Sequence, residues 1–274
     1  MPFGTTTSFR RSFRAGERPF TITSASQLPN LEVWYNAEAT TASTFNAGVI
    51  TSGTEITSWH NAGGLSSHDW NSTGGARPEW FSNIQNGKGV VRFNNTGSTP
   101  TGEDADTNER FTINPVTYIN SLAGATMVVV YRSLSTSAGI RYATSTDVGG
   151  FQWGQDGTQY IGGFAGATYT VNSQTVDTNF HHIIIRFDGS QTGNSNRLKA
   201  RLDGADVTLT ITGTVNAVTS ATAAYFFGGC TGTGVNAVSN FFIGDIGELL
   251  IWTRALSTGE ILAVEDYLST KWAI

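Results

Sequence analysis

Cysteine is almost missing from this chain: Cys230 is the only one in 274 residues. A single thiol excludes an internal disulfide, so nothing in the sequence calls for an oxidising compartment. Preceded by FFGG, Cys230 reads as a small buried apolar group rather than a reactive thiol. Charged residues are scarce too, at 14%, far from the Glu-, Lys- and Leu-rich composition of helical proteins. A formal net charge of −5 gives the chain as a whole no electrostatic case for nucleic acid. No apolar run approaches the ~20 residues that span a bilayer, so no membrane role is expected. The N-terminus lacks the hydrophobic stretch of a secretory signal. Catalytic motifs are missing as well. There is no Gly-x-Ser-x-Gly elbow and no phosphate loop. Nor does any strand read Glu-x-Asp-x-x-Glu, the pattern that would aim an acid and a nucleophile at one glycosidic bond. Glu248 has Ile246 and Leu250 two residues to either side, so no second carboxylate shares its face. No enzyme activity and no cofactor are expected.

What the chain has in abundance is turn chemistry. Glycine numbers 32 and apolar residues make up 39%, the composition of a turn-rich β protein with ample material for a core. The strongest strand is ATMVVVYRS at 125–133. LEVWYNA at 31–37, VVRF at 90–93, GFQW at 150–153, YIGGF at 160–164 and FHHIIIRFDG at 180–189 join it. Leu198, Ala200 and Leu202 alternate into the Asp203-Gly204 turn, a strong hairpin signal. Residues 40–80 carry turn residues and no sustained apolar period, and 94–110 read as a polar, acidic loop. Near the end, FFI at 241–243 and ELLIW at 248–252 read as strand. Ser257 then precedes Glu260 by three residues, the spacing of a capping box. In the next segment, a helix, Ile261, Val264, Leu268 and Trp272 share one face and must dock on something apolar. One helix cannot supply the crossovers of parallel strands, so antiparallel sheets in a two-sheet sandwich are expected.

Several of these segments stand in the order of the concanavalin A-like (laminin G-like) family. LEVWYNAEA resembles its opening strand. Trp59 with His60-Asn61-Ala62-Gly63-Gly64 resembles the turn after that strand, with Asn61 where an acid is more usual. Arg77-Pro78 and GVVRFN at 89–94 resemble the next pair of elements, and FHHIIIRFDG with LKARLDGADV resembles the family's hairpin. GDIGELLIWTRALSTGEILAVEDYL resembles its closing strand and helix. The resemblance covers residues 28–274 and implies an all-β, two-sheet antiparallel jelly-roll sandwich with a short C-terminal helix. The family serves as lectin, carbohydrate-binding module, adhesion domain and virion component, sometimes with a calcium ion, so the fold leaves function open.

Residues 1–27 stand apart as an extended N-terminal arm. Phe3, Phe9, Phe13 and Phe20 interleave with Arg10, Arg11, Arg14 and Arg18 against one acid, Glu17. This is either a loose terminus or a docking arm whose rings bury in a partner while its guanidiniums meet carboxylates. Within the domain, sugar recognition would use aromatic faces with polar neighbours: Trp70 beside Asp69 and Asn71, Trp80, and Trp153 with Asp156 and Tyr160. Core packing is the competing reading for those rings, and the expected one for Trp34, Trp59, Trp252 and Trp272. TGEDADTNE sets Glu103, Asp104, Asp106 and Glu109 close together, a solvated loop with calcium as the alternative reading. His60, His68, His181 and His182 lack the spacing of a zinc site and read as structural. Together these features point to a non-enzymatic structural protein of a phage virion, a capsid decoration or a fibre- or tail-associated component. It would form a homo-oligomer or multicopy assembly, anchored by its arm to the major capsid or tail protein, and be found in particles assembled in the host cytoplasm. The alternative is a carbohydrate-binding or adhesion module that recognises polysaccharide.

Overall fold

Side chains alternate across the central strands, and this alternation is what stacks them into layers. In the strand Phe180–Asp188, Ile183, Ile185 and Phe187 enter the core between two sheets, while Phe180 and Ile184 face the opposite way into a second apolar cluster. The computed structural model describes residues 21–38, 45, 50–63, 69–72, 77–94, 109–113, 117–136, 140–146, 151–172, 174–220, 225–228, 230–231, 238–239 and 241–274. The arm residues Phe9, Arg10, Arg11, Phe13, Arg14 and Arg18 lie outside these, as do Glu103, Asp104 and Asp106 of the acidic loop.

The first sheet runs Ala205–Val207, Leu198–Leu202, Phe180–Asp188, Gly124–Ser133, Ile243–Trp252, Lys88–Asn94, Glu79–Gln85 and Thr54–Glu55. Leu31–Asn36 also pairs with Ile243–Trp252. The second sheet runs Leu209–Thr212, Ala167–Val171, Gln159–Phe164, Gln152–Asp156, Ile140–Thr146, Tyr225–Phe227, Phe111–Ile113, Trp70–Ser72 and Ser58–Trp59. Every pairing among the described residues is antiparallel. The expected all-β sandwich is what the chain forms. The Asp203-Gly204 hairpin has φ of 47° and 76° at its two central residues, the positive pair that a two-residue turn of this hand requires. Asn86-Gly87, with φ of 47° and 73°, joins Glu79–Gln85 to Lys88–Asn94 in the same way.

The helix Thr258–Trp272 closes the outer face of the first sheet. Ser257 and Glu260 form the capping box: the Glu260 amide donates to Ser257 Oγ, and the Ser257 amide donates to the Glu260 carboxylate at 2.8 Å. Its buried Ile261, Val264, Leu268 and Trp272 meet Val90, Val128, Val130, Ile184, Leu250 and Trp252. The same cluster takes in Ile22, Ala25 and Leu28, and a one-turn helix at Ala25–Gln27 has its own capping box from Ser24. Ile22, Ala25 and Leu28 thus pack with the closing helix on the outer face of the first sheet. No helix among the described residues is long and apolar enough to cross a membrane.

The closing strand carries an irregularity that sets where its carboxylates point. Ile243–Trp252 pairs first with Lys88–Asn94 and then with Leu31–Asn36, and its register slips between Ile246 and Glu248. The extra residue, Gly247, brings Asp245 and Glu248 to the same outer side, since Ile246 and Leu249 both enter the core. A Cβ at Gly247 would stand 2.4 Å from the Trp272 ring, so only glycine lets the helix settle there.

Candidate functional site

The aromatic residues expected to meet sugar are core residues. Trp153 and Tyr160 stack on each other, with centroids 5.2 Å apart and planes 22° from parallel, and Tyr131 closes on both. Trp70 lies between Tyr35 and Phe227, and Trp80 donates its indole N–H to the Ala37 carbonyl at 2.8 Å while its ring covers Gly89. These four rings are at most 5% exposed, so none offers a face to a saccharide. Flanking Asp and Asn made them look polar, but the gain from burying so large an apolar surface decides their place. Asp156 alone of that set is exposed, at the end of the hairpin it forms with Gln159. Trp59, Trp252 and Trp272 fill the core and Trp34 is half-buried, as expected.

Two of the described histidines are held by carboxylates, and His60 is one of them, with Nδ1 2.7 Å from Asp69. His181 is clamped from both sides, with Nδ1 2.6 Å from Asp203 and Nε2 2.8 Å from Asp177. Burial works against its charge, but the two carboxylates prevail and raise its pKa. With both nitrogens occupied it cannot serve as a general base. His182, on the opposite face, is 1% exposed, and burial lowers its pKa.

The carboxylates of the closing strand have structural partners too. Asp245 receives Arg92 at 2.7 and 3.0 Å and Arg132 at 3.0 Å, each guanidinium lying over a phenylalanine ring, Phe81 or Phe180. Glu248 accepts from Trp34, Tyr267, Lys271 and Trp272. Both carboxylates are fully buried. Hydrolysis of a glycosidic bond needs two carboxyl groups that reach substrate, and these two are turned to holding the helix and strands together.

Glu109, beside the acidic loop, is strongly perturbed. Burial pushes its pKa up to about 7, against the Asn94 amide that donates to it at 2.6 Å and with help from Glu79 and Glu55. A carboxyl whose folded pKa lies above its unfolded value stabilises less as pH rises, here from about 4.5 to about 7. Glu109→Gln keeps an acceptor for Asn94 and removes the charge. It should raise the melting temperature at pH above about 7 and leave it nearly unchanged near the unfolded carboxyl pKa of about 4.3. An equal offset at both values would show that the charge is not the cause.

A concave feature of the described surface lies beside the closing helix. It is a cleft of about 700 Å³ between the helix residues Thr258, Ile261 and Leu262, the outward side chains of Phe180–Asp188 and Leu198–Leu202, and the two edge strands Ala205–Val207 and Leu209–Thr212. Leu262, Val207 and Leu209 give it apolar walls over the buried Ile184 and Ile261, and Arg186, Lys199, Arg201, Gln191 and Asn196 bring polar groups to it. None of these was read from sequence as a site residue. The available signal was the alternation of Leu198, Ala200 and Leu202, which obliges Lys199 and Arg201 to face outward.

No protein-family model matches the chain. No curated protein matches it either. Among solved structures it is similar to the binding domain of Paraclostridial Mosquitocidal Protein 1, with a TM-score of 0.55 and 12% identity over 86% of this chain and 52% of that one. It is also similar to a Trypanosoma rangeli sialidase in complex with sialic acid, with a TM-score of 0.52 and 14% identity over 90% of this chain and 34% of that one. The likeness shows the fold. The chain spans about half the length of the first of these proteins and a third of the second.

Proposed function

We propose that this chain is a non-enzymatic carbohydrate-binding module, with the cleft beside the closing helix as its binding surface. The cleft carries the reading: several polar side chains converge over apolar walls in a space of saccharide size. Support comes from the fold, which resembles a sialidase solved with sialic acid and the binding domain of a toxin. The buried, fully partnered state of Asp245 and Glu248 supports binding without hydrolysis. The virion role expected from the arm at residues 1–27 draws no support from the solved structures that the sandwich resembles.

A glycan array with the purified chain tests the reading, paired with Leu262→Trp, which fills the cleft from a half-buried helix position. Binding of a defined glycan set by the wild type, reduced about tenfold or more by the substitution, is the expected result. A blank array at high protein concentration would sink the carbohydrate reading. Array binding untouched by Leu262→Trp would move it away from the cleft.

A further inference from the structure

Three cations line the cleft, and the ligand chemistry turns on which of them is still available. Arg186 is taken by Asp188 at 2.9 Å and by the Leu256 carbonyl at 2.8 Å. Arg201 is held between Glu265, at 2.7 and 3.1 Å, and Asp206. Lys199 stands between these two arginines. It is opposite Arg186 in the strand register and two residues before Arg201 on the same outward face. It is exposed, and its side chain makes neither a hydrogen bond nor an ion pair with the described residues.

Arg201 carries two carboxylates, so the formal charges around the cleft sum to zero, but they are not evenly placed. Glu265 has a side chain only 5% exposed and spends its charge on Arg201 beneath the helix. Asp206 is 84% exposed on the edge strand, where water and salt screen it. The Lys199 ammonium therefore lacks a counter-charge of its own inside the cleft, while both neighbouring guanidiniums are fixed by theirs.

We infer that the cleft takes an acidic saccharide, whose carboxylate or sulfate pairs with Lys199 while a ring of the sugar rests on the half-buried Leu262, Val207 and Leu209. This rests on the carbohydrate-binding reading and narrows it to a ligand class. A lysine is a compact point charge without the planar fork of arginine, so it selects for negative charge more than for the shape of the anion. The apolar wall supplies contact area that does not depend on charge, which leaves Lys199 to set the preference between acidic and neutral sugars.

Calorimetry with matched pairs tests the inference: sialyllactose against lactose, oligogalacturonate against its methyl ester, and a sulfated galacto-oligosaccharide against its desulfated form. In at least one pair the acidic member should bind about tenfold tighter or more, since contacts to a charged group lie in that range. The preference should shrink in raised salt. It should disappear in Lys199→Met, which keeps the aliphatic stem at an exposed position and should leave the melting temperature unchanged. The carboxylate and sulfate pairs tell the two anion types apart. Equal binding of both members in every pair overturns the acidic class and leaves carbohydrate binding standing. Binding of no member in any pair overturns both. An acidic preference that survives Lys199→Met overturns the assignment to this cleft.

Discussion

Replacing Glu248 with alanine is expected to lower the unfolding free energy by about 3–5 kcal/mol, the usual effect of removing one partner from a buried ion pair. The carboxylate sits at the meeting point of three elements. Trp34 of the opening strand donates to it at 2.6 Å, and from the closing helix Tyr267, Lys271 and Trp272 donate at 3.1, 3.0 and 2.9 Å. Without it, a fully buried indole N–H loses its acceptor, and an ammonium with a side chain only 9% exposed is left with the Tyr267 hydroxyl at 3.0 Å and the Glu38 carboxylate at 3.5 Å. Each buried donor left unmatched adds about 1–3 kcal/mol. Burial, together with the charge of Glu248, pushes the Tyr267 phenol well above its ordinary pKa, so it stays a neutral donor throughout the working pH range. Glu248→Gln retains one acceptor and should cost less than alanine. Urea unfolding checks both: the midpoint should fall in that order at constant slope. An alanine variant within about 1 kcal/mol of wild type, the range of a solvated surface pair, would show that the helix is not held there.

How much of this arrangement was legible beforehand differs from element to element. The closing helix could be read because its signals are local: a capping box at Ser257 and Glu260, then one apolar face from Ile261 to Trp272. The Asp203-Gly204 hairpin could be read for the same reason. Glu79–Gln85 was not, since its burial follows no period of two and Asn83 adopts a positive φ of 54° within it. The Asn86-Gly87 pair that ends it was the signal to use. The partners of Glu248 were out of reach, because Trp34 lies 214 residues away and a one-residue bulge decides which side the carboxylate takes. The cleft shares that difficulty. Its residues come from strands, a helix and an edge, they are common types, and only packing brings them together. The sugar-binding aromatics failed in the other direction: Trp153 with Asp156 and Tyr160 has local chemistry suited to a saccharide, while its burial depends on the opposite sheet.

That failure yields the second large effect. Trp153→Ala is expected to destabilise the chain by about 3–5 kcal/mol, as for other buried aromatic truncations, without changing saccharide affinity of the molecules that remain folded. Trp153 is fully buried, stacked on Tyr160 at 5.2 Å and met edge-on by Tyr131 at 5.6 Å. Its removal leaves a void against the Tyr131 and Tyr160 rings. Thermal unfolding and calorimetry on the same preparation separate the two readings of this ring. A lowered melting temperature with unchanged affinity is the outcome that burial dictates. Lost affinity at an unchanged melting temperature would instead make Trp153 a ligand contact and return the binding surface to the hairpin that carries Asp156 and Tyr160.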